Sequence, residues 1–104
     1  MAKGKWQLEN HEKEKYLELF KRYLYTLEKK EDIDEIDLTN LDINPYQTRL
    51  ILEELGYAYD TMDENGWEQD CWIYMKKEGY IPLVIYTCGM TYELKLSVDW
   101  IEVE

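Results

Sequence analysis

The spacing of apolar residues changes once along this chain, at Gly56, and that change sets the class of fold open to it. Before Gly56 apolar side chains recur at helical intervals, and after it they alternate. Helices followed by strands predict an α+β arrangement. At 104 residues one domain spanning 1–104 is expected, with residues 1–9 as a flexible tail.

Two helices are legible. Residues 12–30 place Tyr16, Leu17, Phe20, Tyr23, Leu24 and Leu27 on one face. Asn10 is a candidate cap, with Glu12 and Glu14 in the first turn and Lys29 and Lys30 in the last, as the helix dipole favours. Residues 45–55 have Asn44 at the N-cap, Pro45 at the first helical position and Gln47 placed to close a capping box. Gly56 follows Leu55 as a left-handed C-cap. Between the helices lies EDIDEIDLTNLDI, residues 31–43. Its Asp, Asn and Thr compete with the backbone for hydrogen bonds, predicting an irregular connection with one short helical turn.

The second half predicts a four-stranded antiparallel meander. Asn65-Gly66 suits a two-residue type I′ turn, which would pair Tyr59 with Trp72, Tyr57 with Tyr74 and Ala58 with Ile73. A third strand runs about Leu83–Thr87 after a Glu78-Gly79 turn. Gly89-Met90 turns into a fourth, where Tyr92, Leu94, Leu96, Val98 and Trp100 alternate with polar residues; the phase flips at Ile101 and Val103. In that register the helices cover Ile73, Met75, Leu83, Ile85, Leu94, Leu96 and Val98. The opposite face presents Tyr57, Tyr59, Trp72, Tyr74, Val84 and Tyr86, either as an interaction surface or as half-exposed cross-strand pairs. A second copy of the chain is one candidate to cover it. The alternative fold is winged-helix-like: LTNLDINPYQTRLILEELGY has the rhythm of a helix-turn-helix, and hairpins follow it.

Charge narrows the functions. The net formal charge is −11, and residues 31–72 hold thirteen acids against Arg49 alone, whereas residues 1–30 hold eight bases and five acids. A nucleic-acid binder needs clustered Lys and Arg to displace counterions, so this balance argues against one. The helix 45–55 carries Arg49 alone against Glu53 and Glu54, which opposes a DNA-reading role. No apolar leader stands in the first fifteen residues, and the longest apolar stretch, Tyr80–Tyr86, is too short to span a bilayer. Cys71 and Cys88 lack a CxxC spacing and read as reduced core residues, so a cytoplasmic location is expected.

Tests for catalytic or metal chemistry come back weak. Aligning Gly66 with the glycine of a calcium loop puts Asp63 and Asn65 in ligand positions, but the first position is Thr61 and the twelfth is Trp72. Asp60, Asp63, Glu64, Glu68 and Asp70 gather around one hairpin with no cleft for acid–base work. His11, the one histidine, has no zinc spacing, and Ser97 has no nucleophile motif. No catalytic residue, metal or cofactor is assigned. The expectation is a small acidic, non-enzymatic protein-interaction module. It would act as an inhibitor or accessory protein, docking on a basic partner surface through Tyr57, Tyr59, Trp72, Tyr74, Tyr86, Asp63, Glu64, Glu68 and Asp70. In one version its carboxylates occupy the place of phosphates in a partner's nucleic-acid groove. The alternatives are a winged-helix-like transcriptional regulator, and a small-ligand-binding protein or enzyme using the cup between helices and sheet.

Overall fold

A computed structural model describes residues 10–29, 33–67 and 69–99. Helix α1 runs Asn10–Glu28 and α2 runs Pro45–Glu54. The strands are β1 Glu35–Asp37, β2 Ala58–Asn65, β3 Asp70–Lys76, β4 Leu83–Cys88 and β5 Glu93–Val98. They form one antiparallel sheet in the order β1-β5-β4-β3-β2. The protein is thus α+β, with two helices and a five-stranded antiparallel sheet rather than four strands.

The ends of α2 follow their local chemistry, whereas α1 stops at Glu28 with no base in its last turn, short of the end expected from Lys29 and Lys30. Asn44 Oδ1 accepts from Gln47 N at 2.7 Å while Gln47 Oε1 accepts from Asn44 N at 2.9 Å, closing the capping box. Gly56 takes φ +99° and ends α2. Beside it Lys77 Nζ donates to the Leu55 carbonyl at 2.9 Å and lies 4.1 Å from the Tyr80 ring centroid, a cation at the negative end of the helix.

Both helices pack on the aliphatic face of the sheet. Phe20, Leu27, Ile51 and Leu52 meet Ile73, Met75, Leu83, Ile85, Leu94, Leu96 and Val98 in one buried cluster. The seven sheet residues are those alternation selected. Tyr57 joins this core, its hydroxyl donating to the Ile81 carbonyl at 3.2 Å.

Four sequence expectations are corrected. The connection 31–43 contains strand β1 where a helical turn was expected. Ile36 lies opposite Leu96, while Glu35 and Asp37 lie opposite Ser97 and Lys95 on the other face. Three residues are too few for a period to show, so the strand exists through its partner. Leu38 N donating to Leu94 O at 2.7 Å and Leu94 N to Thr39 Oγ1 at 3.1 Å continue the attachment.

The second correction concerns the β2–β3 turn. Asn65 pairs with Asp70, leaving a four-residue loop, 66–69, in place of a two-residue type I′ turn. Asn65 Oδ1 accepts from Trp67 N at 3.2 Å, an Asx turn, and the left-handed residue is Gln69 at φ +56° rather than Gly66. Trp72 therefore faces Asp63, not Tyr59, and Tyr74 faces Thr61, not Tyr57. A bulge at Asp60 then shifts the phase, setting Tyr59 opposite Met75 on the helix side.

Third, β5 begins at Glu93, and Tyr92 is a turn residue at φ +58°. Trp100, Ile101 and Val103 lie outside the described residues. Fourth, a winged helix requires a helix directly ahead of α2, and residues 33–44 hold β1 and turns instead.

Candidate functional site

The face of the sheet turned away from the helices is built by strand alternation. On β3 and β4, Trp72, Tyr74, Val84 and Tyr86 project there because Ile73, Met75, Leu83 and Ile85 project into the core. Trp72 lies opposite Tyr86, with ring centroids 5.5 Å apart and tilted by 43°. The Tyr86 hydroxyl donates to Asp70 Oδ1 at 2.8 Å, and Asp63 lies opposite Trp72 on the same face as Tyr74. Asp70 thus takes a proton donor from a neighbouring ring, and the four aromatic and aliphatic side chains are half-buried.

Of the residues proposed from sequence, this face gathers Trp72, Tyr74, Tyr86, Asp63 and Asp70. Tyr57 is in the core. Tyr59 lies on the helix side, its ring 4.2 Å from the Arg49 guanidinium carbon. Glu64 sits opposite Cys71 on that same side. Glu68 is outside the described residues.

Carboxylates border the aromatic centre, and the bases among them are tethered. Lys95 Nζ lies 3.6 Å from Glu35 Oε1 and 3.7 Å from Glu93 Oε2, and those two charges hold its amine above the usual lysine value. Lys76 Nζ lies 3.2 Å from Asp60 Oδ2. Asp37 is held below the ordinary carboxylate range by hydrogen bonds from Thr39, first from its side chain and then from its backbone N–H. These exposed pairs are screened by solvent, and two lysines are shared among more carboxylates than they can neutralise, so the face keeps its acidic character.

Strand β2 forms one edge of the sheet, and Ala58 to Glu64 are all exposed. The bulge at Asp60 and the acids Asp60, Asp63 and Glu64 discourage another strand from pairing along it. The edge is therefore a surface for side-chain contacts.

Other chemistry finds no assembled site. Among the described residues, no group of three or more His, Cys, Asp or Glu is placed to hold a metal. Asn65, a ligand candidate in the calcium-loop alignment, spends its side-chain oxygen on the Trp67 N–H. Ser97 Oγ donates to Glu35 Oε2 at 3.4 Å, and the side chain of His11 is outside the described residues. Cys71 and Cys88 form no disulfide. Cys71 faces the core and its thiol is pushed up by burial and by the Glu64 charge, whereas Cys88 lies on the opposite face. No described helix is long and apolar enough to cross a membrane. Comparison with protein families, curated proteins and solved structures gave no match.

Three exposed residues escaped sequence reasoning. Trp67, Met90 and Tyr92 stand on the two hairpin loops at one end of the sheet. Alternation had assigned Tyr92 to a strand face, and only the start of β5 at Glu93 reveals it as a loop residue. Trp67 carried a weak signal, an aromatic placed between the turn-forming Gly66 and acidic Glu68.

The tyrosines give this arrangement a measurable signature. Burial pushes Tyr57 from 10.0 up to about 12, with the Glu28 charge adding to it. Tyr86 is raised mainly by its hydrogen bond to Asp70, and Tyr74 mainly by burial. In the unfolded chain these phenols lose their protons first, so stability present below pH 10 falls away as pH rises towards 12. Tyr57 alone is expected to account for a loss of about 1–2 kcal/mol, after allowance for solvent screening. Urea midpoints across that interval check the loss. Absorbance at 295 nm should show late-titrating tyrosines among the ten, and Tyr57→Phe should remove one of them. A single transition near the free-tyrosine value would contradict the structure.

Proposed function

We propose that the chain is a small acidic interaction module without catalytic activity, an inhibitor or accessory protein that docks on a basic surface of another protein. One observation supports this above the rest: the face carrying Trp72, Tyr74 and Tyr86 is left open by both helices and interleaved with Asp63 and Asp70. Tyrosine and tryptophan there present apolar bodies with polar ends, the chemistry enriched at protein interfaces. The surrounding carboxylates accelerate encounter with a cationic partner and fix its orientation. Where the partner's surface is a nucleic-acid groove, the carboxylates stand in for phosphates.

Affinity capture with the immobilised chain at about 50 mM and about 500 mM salt tests this, since screening shortens the reach of charge severalfold over that interval. A partner is expected to be retained at low salt, released at high salt, and lost when Asp60, Asp63 and Glu64 are changed together to lysine. Those three positions are exposed on an edge strand, so the fold should tolerate the change. Retention indifferent to both salt and charge reversal would reject the electrostatic mode of docking. Competition by duplex DNA would locate the contact in a nucleic-acid groove of the partner.

A further inference from the structure

The meander places the β2–β3 loop, with Gly66, Trp67 and Gln69, and the β4–β5 loop, residues 89–92, at the same end of the sheet. They touch: Gly89 N donates to Gln69 O at 2.9 Å. A Cβ on Gly89 would stand 2.5 Å from Gln69 Oε1 and 3.1 Å from Gln69 Cβ, so the approach depends on glycine. The two tips form one platform braced by the Asp70–Cys88 pairing below it.

That platform exposes apolar side chains. Trp67 is 95 % exposed, Tyr92 83 % and Met90 63 %. Clustered apolar exposure marks a contact surface. Tryptophan and tyrosine are the types that dominate interface energetics, and methionine adapts to irregular pockets.

Tyr92 adds an independent sign. It sits at φ +58°, a left-handed conformation that glycine or asparagine adopts more readily than an aromatic residue. Its ring gains little packing in return, being mostly in solvent. A residue that opposes its own backbone and contributes little to the core is expected where function selects it.

Charge identifies the occupant. The strand segments entering and leaving the tips carry Asp63, Glu64, Asp70 and Glu93, with Lys95 as their one described base. A second copy meeting tip to tip would bring like charge against these acids, and an anionic membrane would repel them. A cationic protein surface would not.

We propose that Trp67 and Tyr92 anchor the chain by inserting into an apolar pocket rimmed by lysine and arginine on a partner protein. This rests on the docking function proposed above and names its contact end. Because the loops are already braced together, little ordering is needed on binding.

Photo-cross-linking tests it. A benzophenone amino acid is placed at Met90 and, as a control of equal exposure, at Tyr25 on α1. A protein with a positively charged surface is expected to be trapped from Met90 and not from Tyr25, in cells that make the chain. With that protein purified, Trp67→Ala and Tyr92→Ala are each expected to weaken its binding to the full chain about 30-fold or more. Tyr92→Asn should weaken binding comparably while raising the urea midpoint, because it relieves the backbone. A purely structural tyrosine could not produce that pairing.

Absence of an adduct from Met90, equal trapping from Tyr25, or tip variants that bind within about threefold of wild type would each overturn the proposal. So would a Trp67-dependent dimer in light scattering, or Trp67-dependent binding to phosphatidylcholine–phosphatidylserine vesicles. If charge reversal on β2 abolishes binding and the tip variants do not, the tip assignment falls while the acidic docking function stands. If the tip variants lose a partner whose binding is indifferent to salt, the basic rim and the electrostatic mode fall together.

Discussion

Phe20→Ala is expected to cost about 3–5 kcal/mol, the largest stability effect of any single change considered for this chain. Phe20 is fully buried and belongs to the cluster through which α1 joins α2 and the sheet. Its ring lies 5.6 Å from that of Tyr23 on the same helix. Truncation removes apolar area from the core and leaves a void that surrounding side chains fill only in part. Domains of this size hold about 5–15 kcal/mol in total, so the variant should stand near the edge of unfolding at 37 °C. Urea denaturation followed by tryptophan fluorescence measures the loss. A change below about 1 kcal/mol would mean that α1 does not contribute to the core as described.

Gly56→Ala is expected to cost about 1–3 kcal/mol, through two effects that reinforce each other. At φ +99° the backbone lies where a side chain is strained whatever the surrounding space. A Cβ there would also meet Lys77 Cε at 3.0 Å, displacing the amine that donates to the Leu55 carbonyl. Lys77→Met separates these contributions, since it removes the donor and leaves the backbone unstrained. It should cost less than Gly56→Ala, about 0.5–1.5 kcal/mol. Equal losses in the two variants would assign the effect to the lysine and remove backbone strain as its cause.

The candidate docking face was only partly legible in sequence. Trp72, Tyr74 and Tyr86 share it because alternation along β3 and β4 is a local property, readable from Ile73, Met75 and Ile85 between them. Tyr57 and Tyr59 do not share it, because their side of the sheet depends on how β2 meets β3. The four-residue loop changes the partners by an even number and keeps their faces, whereas the bulge at Asp60 turns Tyr59 to the helix side. Trp67 and Tyr92 emerged as loop residues only once the strand limits were known.

The sequence by itself determined the elements whose causes are short-ranged. The capping box of Asn44 and Gln47, the stop at Gly56, the helical stripe from Tyr16 to Leu27 and the alternation of Leu94, Leu96 and Val98 arise from neighbours a few residues apart. Only the tertiary structure decided that Glu35–Asp37 is a strand, that the hairpin tips meet, and which tyrosines face the helices. The reason is physical: β1 gains its hydrogen bonds from β5, roughly sixty positions away along the chain, and strand register is a property of the pair.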